Sequence, residues 1–439
     1  MKKILKYIII FIGLIVIFNV LLLLSSLFPS VFIENNVRES AKILKEQGNY
    51  YLISIFSDDI NNNYTDVLMI NEAYSINSKN PIFSYMSVRK NFCNGITKHQ
   101  LPDTHGELVS VGTEEYDPST ELVEFLNGNI DTSIEYARYW HGYLSVLRPL
   151  LLFFNVTQIR YILFGAYTIL LTMMFYLLKK KFNLRIAIIY AFALIANGFL
   201  GASFSLESSP VFLVMLVSSI ILLERIDKIK DFYIYIFVVA CIANFVDYLT
   251  VPLITLAFPL SIYILYKQKE ELEVKDSIKI IIKASIVWIL GYGITWFSKW
   301  VLFDLLYDRN LIKSAIDQVL YRSGRTNENI DLSLGEYLFY YIKRNFKYII
   351  FFSIATLYIN MTMLILKDII ININKFKDFI KNSIPFLIIS MMPIVWYIVL
   401  ANHTTLHFMF TYRHISIFLL GILLTINNTY SLKYAKKDD

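Results

Sequence analysis

The sequence predicts an all-α polytopic membrane protein, with about ten transmembrane helices and a large first extracytoplasmic loop carrying amphipathic helices. Three observations predict it. Of 439 residues, 56% are hydrophobic and 17% charged, where a soluble domain carries about 25% charged. Several apolar runs approach the roughly 20 residues that cross the hydrocarbon core of a bilayer. Lysine and arginine recur in alternate short loops between those runs, the pattern that sets orientation in membranes. The net charge of +6 is thus scattered over loops instead of gathered on one basic face, so no nucleic-acid partner is expected.

Residues 1–28 read as an N-terminal membrane anchor helix. Lys2 and Lys3 precede the apolar run Ile4–Phe28, which outlasts the core of a signal peptide and lacks a small-x-small cleavage site. Residues 29–158 form the extracytoplasmic loop region with juxtamembrane helices. Val31–Gln47 has amphipathic spacing, Thr65 is an N-cap candidate for a helix over Asp66–Tyr74, and Ser119–Asn127 reads as a short helix. Gly95–Pro118 is turn-rich. Tyr136–Leu151 predicts a helix whose Arg138, His141, Ser145 and Arg148 share one stripe, with Trp140, Tyr143, Leu144, Leu147 and Leu151 opposite. Pro149 disfavours α geometry at Arg148 and predicts a kink or stop.

Residues 159–298 hold transmembrane helices 2–7, in runs at 159–178, 185–201, 210–223, 232–248, 249–266 and 280–298. Residues 299–347 form a second extracytoplasmic loop, with a surface helix expected around Leu311–Tyr321. Residues 348–439 hold helices 8–10, at 348–366, 383–401 and 413–431, and a cytoplasmic tail. Lys179–Lys181, Arg225, Lys228, Lys267, Lys275, Lys375 and Lys381 then fall on one side, whereas the short loops near Ser203–Ser209 and His403–Thr411 carry no Lys or Arg. This puts both termini in the cytoplasm. Cys93 and Cys241 fall in different compartments, so no disulfide is expected. No fixed-period repeat and no inverted symmetry are evident.

Four polar constellations stand beside the apolar runs, where charge is costly and so informative. Asp247 lies near the outer end of the fifth helix, as either a hydrated helix end or a carboxylate facing a cavity. Lys299 sits between Trp296 and Trp300, as a snorkelling lysine in an aromatic belt or a phosphate contact. His403 and His407, spaced i, i+4, make half of a zinc site but lack a third ligand; with Arg413 they suit an anionic headgroup better. Arg138, His141 and Arg148 mark either an interfacial anchor or a guanidinium site for phosphate. All four fall on the outer face. Carboxylate, imidazole, guanidinium and aromatic rings together suit glycosyl transfer from a lipid-phosphate sugar.

The anchor helix, the large first outer loop and the "YWHGY…RPL" run ahead of the second span resemble the membrane glycosyltransferases of the GT-C superfamily. Within it, the run is similar to that of O-antigen glucosyltransferase (GtrII-like) relatives, and related proteins sit in Gram-positive envelope polysaccharide decoration systems. The resemblance implies an acidic catalytic residue soon after the first span. Asp58-Asp59 and Asp66 are the matching candidates, and Asp66 with Glu72, on one helix, fits better. It implies transfer of a sugar from a polyprenyl-phosphate donor to an envelope glycan or lipid-linked acceptor on the outer face of a bacterial cell membrane. Asp66 would be the base; Arg148, Lys299 and Arg413 would hold the donor phosphate; His141 and Asp247 would orient sugar and acceptor. A polyprenyl-phosphate sugar synthase is the expected partner. No cofactor is required by the sequence, although a divalent cation is compatible with it. Two rivals share these features: a polymerase or ligase of lipid-linked repeats, and a non-catalytic exporter or flippase.

Overall fold

The computed structural model describes residues 2–48, 50–52, 60–92, 99–102, 108–111, 117–130, 132–324, 326–327, 330–331, 333, 335–336, 339 and 373–434. Asp58, Asp59, Cys93 and the run at 348–366 lie outside the described residues. The chain is mostly helical. It opens with α1 (Lys2–Ser26), then α2 (Glu34–Gln47), β1 (Tyr50–Leu52), β2 (Ile60–Asn62), α3 (Asn63–Tyr74), α4 (Pro81–Ser87) and β3 (Arg89–Phe92). There follow β4 (His99–Pro102), β5 (Leu108–Val111), α5 (Pro118–Leu126), β6 (Thr132–Glu135) and α6 (Leu144–Leu151). The bundle proper comprises α7 (Val156–Lys181), α8 (Leu184–Ile195), α9 (Phe199–Ser203), α10 (Ser209–Arg225), α11 (Phe232–Val246), α12 (Ile254–Gln268) and α13 (Val274–Tyr307). It ends with α14 (Leu311–Ser323), β7 (Thr326–Asn327), β8 (Ile330–Asp331), α15 (Ile373–Val399), α16 (Ala401–Leu406), α17 (Phe408–Thr411) and α18 (Ile415–Tyr434).

Among the described residues, five helical stretches are long and apolar enough to cross a membrane: Lys2–Ser26, Val156–Lys181, Val274–Tyr307, Ile380–Val399 and Met409–Asn428. The runs expected at 185–201 and 232–248 form the shorter apolar helices α8 and α11. Large apolar side chains such as Ile9, Tyr161, Ile169 and Ile289 stand exposed on the flanks, the surface that a hydrocarbon solvent accepts.

Local chemistry starts the helices. Asn155 and Gln158 form a reciprocal capping box at α7, which ends in Lys179–Lys181 against its carbonyl pole. Asp231 caps the backbone N–H groups of Tyr233 and Ile234 to start α11. Strands make up only a small part of this chain. They are short antiparallel pairs, and the pair β3–β6 matters most, with Lys90 opposite Ile134 and Arg89 opposite Glu135. Backbone leaving α4 has no helical partner in the cap region, and pairing satisfies it.

The segment before α7 is not a separate domain. One core joins α1, α2, α3, α5 and α6 to α11 and α13, with Phe18 stacked on Phe245 at 4.1 Å. Arg148 fastens this cap. It is fully buried, and its guanidinium donates to the carbonyls of Ser25 at 2.8 Å, Phe28 at 2.8 Å and Ala73. Those carbonyls sit at the C-terminal ends of α1 and α3, where helices leave acceptors unpaired. Arg148→Met is expected to orphan them and destabilise the protein by at least about 3 kcal/mol, read as a lower unfolding midpoint in detergent.

Candidate functional site

The site is assembled at the capped end of the bundle, around Glu72 on α3. Its side chain is fully buried. Oε2 accepts hydrogen bonds from the hydroxyls of Tyr143 and Tyr248, which also touch each other. His141 Nδ1 lies 3.3 Å from the same oxygen and 3.0 Å from the Tyr248 hydroxyl. Its Nε2 meets the Tyr136 carbonyl at 2.7 Å; a carbonyl only accepts, so that nitrogen is a donor. Oε1 of Glu72 accepts no hydrogen bond, and the nearest cation, Lys90 Nζ, is 3.8 Å away. Burial works to raise this carboxyl, but the His141 imidazole, Lys90 and the Tyr143 hydroxyl together hold it below the usual carboxylate range.

The expected helix over Tyr136–Leu151 forms only from Leu144. Residues before it take an irregular path, with His141 in the left-handed region at φ 54°, a conformation that costs a non-glycine residue about 1–2 kcal/mol. Such strain concentrates at functional sites. Gly142 makes the path possible. Its N–H donates to the Phe245 carbonyl at 2.8 Å, and a Cβ there would lie 2.4 Å from that oxygen. Gly142→Ala is therefore expected to push the His141 loop off α11 and lose most activity, while Gly13→Ala, at an open position on α1, leaves activity intact; parallel assays check this. The loss of a single stripe is a correction to the sequence reading: Arg148 points into the cap and His141 toward Glu72.

Cations gather beside the carboxylate. Lys90 lies over the Tyr136 ring at 3.6 Å and Arg138 at 5.4 Å. Burial pushes the Lys90 ammonium down, and Glu72 opposes it. Arg322, at the end of α14, is near enough to Lys90, Tyr136 and Tyr139 for its charge to act on all three. Its guanidinium meets His403 Nδ1 at 2.6 Å, while His403 Nε2 meets the Leu249 carbonyl at 2.8 Å. Since Arg322 only donates, the imidazole is the neutral Nε2–H tautomer. Burial, with His407 and Arg322 adjoining, keeps His403 well below its ordinary value. Among the described residues, neither Arg138 nor Arg322 has an ion-pair carboxylate within 4 Å.

Arg322 also closes one end of a long apolar groove. This groove, about 630 Å³, runs between α12, α13 and α15 and is lined by Leu253, Ile289, Trp296, Met392 and Val399 among others. Trp296 packs against Tyr139 at 5.3 Å, and Tyr139 against Tyr248 at 5.5 Å, so the groove reaches the Glu72 cluster through aromatic contacts.

Of the residues singled out from sequence, Glu72, Arg138, His141 and His403 meet here. His407 packs beside His403, the rings tilted and their centroids 4.9 Å apart. Asp247 lies close by but is turned on its own loop, accepting from Thr250 N–H and hydroxyl and, at 3.3 Å, from Tyr292. It holds the break between α11 and α12. Asp66 is elsewhere. Its oxygens accept from Arg160 at 2.7 Å, from the N–H groups of Leu206 and Glu207 at 3.1 Å, and from Ser205, which leaves no vacant position for a substrate hydroxyl. Lys299 is fully buried, donating to the Met86 carbonyl at 2.8 Å. Arg413 is buried and turned toward the Gly198 carbonyl and the Ser208 hydroxyl. None of these three reaches the cluster. Lys90, Tyr136, Tyr143, Tyr248 and Arg322 were not singled out as site residues; nothing in their spacing marks them, since four separate elements bring them together. Among the described residues, no group of three or more His, Cys, Asp or Glu could hold a metal ion. No family model, curated protein or solved structure matches the chain.

Proposed function

We propose that this protein is a membrane glycosyltransferase that moves a sugar from a polyprenyl-phosphate donor to a hydroxyl of a cell-envelope acceptor. With ten spans and both termini in the cytoplasm, the charge pattern of the loops would place the Glu72 cluster on the outer face. The observation that carries the proposal is a buried carboxyl group with one oxygen free of hydrogen bonds, set beside cations at the end of an apolar groove. A groove of that kind suits an isoprenoid chain, and Arg322, Lys90 and Arg138 suit its phosphate.

In this mechanism Glu72 is the general base, not Asp66. The acceptor oxygen bonds to the anomeric carbon while the bond from that carbon to the donor phosphate oxygen breaks. The phosphate keeps the electron pair, and the acceptor proton passes to Glu72 Oε1. A single displacement of this kind inverts the anomeric configuration. Tyr143 and Tyr248 hold the carboxylate by its other oxygen, so its free lone pairs face the substrate. Arg322, Lys90 and Arg138 offset the charge that grows on the leaving phosphate.

The test is consumption of polyprenyl-phosphoryl sugars, each labelled in the sugar, by the full chain in liposomes with envelope extract as acceptor. One of them should be turned over to polyprenyl phosphate, with an anomer opposite to the donor's. Arg322→Met is expected to raise the donor KM roughly tenfold or more, since it removes a charge-assisted contact of about 1.5–3 kcal/mol. If the protein consumes no donor while orthogonal transport assays move intact lipid-linked glycan, the exporter takes its place.

A further inference from the structure

We infer that the acceptor is itself a membrane amphiphile, whose hydrocarbon chain occupies a second apolar hollow ending at Glu72. This inference rests on the glycosyl-transfer reading and adds the chemical class of its second substrate. The hollow, about 210 Å³, lies between α6, α7, α10 and α11 beneath α3, and is lined by Met69, Tyr143, Leu150, Leu163, Leu213 and Val246 among others. It shares no lining residue with the large groove.

Two of its walls lead to the reacting carboxylate. Tyr143 lines the hollow and donates its hydroxyl to Glu72. Met69 precedes Glu72 by three residues on α3, one helical turn away on the same side. At its rim Val146 is 59% exposed, and Val217, one turn along α10 from the lining Leu213 and Val214, is 42% exposed, so a lipid can enter sideways without crossing water. Charge separates the two hollows. The large groove ends on Arg322, whereas no charged residue lines the small one. An anionic lipid therefore fits the first, and a lipid with an uncharged, hydroxyl-bearing head fits the second. With both in place the acceptor oxygen attacks the anomeric carbon, polyprenyl phosphate departs with the bonding electrons, and Glu72 takes the acceptor proton. Sugar passes from one lipid to another.

The experiment uses the full chain in liposomes, the labelled polyprenyl-phosphoryl sugar that it consumes, and either the butanol-extractable or the water-soluble fraction of envelope extract. Label is expected in a butanol-soluble product, formed from the lipid fraction alone. Leu150→Trp, which fills the hollow from a partly buried position, is expected to lower the ratio of lipid product to sugar released into water at least tenfold. That ratio does not depend on how much protein folds. Val146→Trp at the rim provides a second, milder filling, and Leu150→Met should restore the ratio. Label found only in water-soluble glycan, or a ratio unmoved by both tryptophans, overturns the inference and leaves the transferase standing. A donor that is never consumed overturns the transferase and the inference with it.

Discussion

Glu72→Gln is expected to lower sugar transfer by roughly 10²–10⁴-fold, the range that a positioned general base contributes. The amide keeps the shape of the carboxylate and an oxygen for Tyr143 and Tyr248, which now donate to Glu72 Oε2. It cannot take a proton on the side facing Lys90. The change therefore removes the base while leaving its cradle in place. Glu72→Asp retains the charge but withdraws it by one methylene, so its rate should fall between the two. The acid limb of wild-type activity provides an independent check. Because the folded carboxyl is held below its ordinary value, the base stays ionised below about pH 4.3, the usual glutamate pKa. The sign for stability is the same: the contribution of Glu72 is complete above the unfolded value and is lost as pH falls through the lower folded one. A Glu72→Gln protein with the wild-type rate removes the base assignment.

Asp66→Asn should instead act on folding, with a loss of about 3–5 kcal/mol, the cost of breaking one side of a buried ion pair. Asp66 and Arg160 meet at 2.7 Å, and both are buried. Two backbone N–H groups of the α9–α10 connection also end on Asp66. An amide at this position must turn N–H groups toward either the guanidinium or those backbone donors, and neither can accept them. The unfolding midpoint in detergent should drop sharply. Adding Arg160→Gln, which removes the stranded charge, should recover part of the loss. If Asp66→Asn leaves the midpoint untouched and abolishes transfer, Asp66 is the base after all.

Asp66 and Glu72 show how far one helix can be read without its surroundings. Both were legible as acidic residues on a rigid element, and α3 forms over Asn63–Tyr74. Their roles were not legible, because a carboxylate works as a clamp or as a base according to what points at it. Leu206 and Glu207, some 140 residues away, saturate Asp66; Tyr248, 176 residues away, leaves half of Glu72 open. The same holds for the cations. Arg148, Lys299 and Arg413 lie beside apolar runs as a phosphate site would require, yet each turns inward to backbone or hydroxyl acceptors. Arg322 lies in a stretch whose pattern announces only a surface helix, and it closes the groove.

The sequence by itself determined what is set by composition and period: a mostly helical chain, apolar helices long enough to cross a membrane, and the polar segment between the first two of them. These follow from local hydrogen bonding and from the solvent that each face can tolerate. The tertiary structure alone decided which polar groups are spent on holding the fold and which are left over. That choice depends on contacts across a hundred or more residues, where a buried charge either finds its partners or remains available for chemistry.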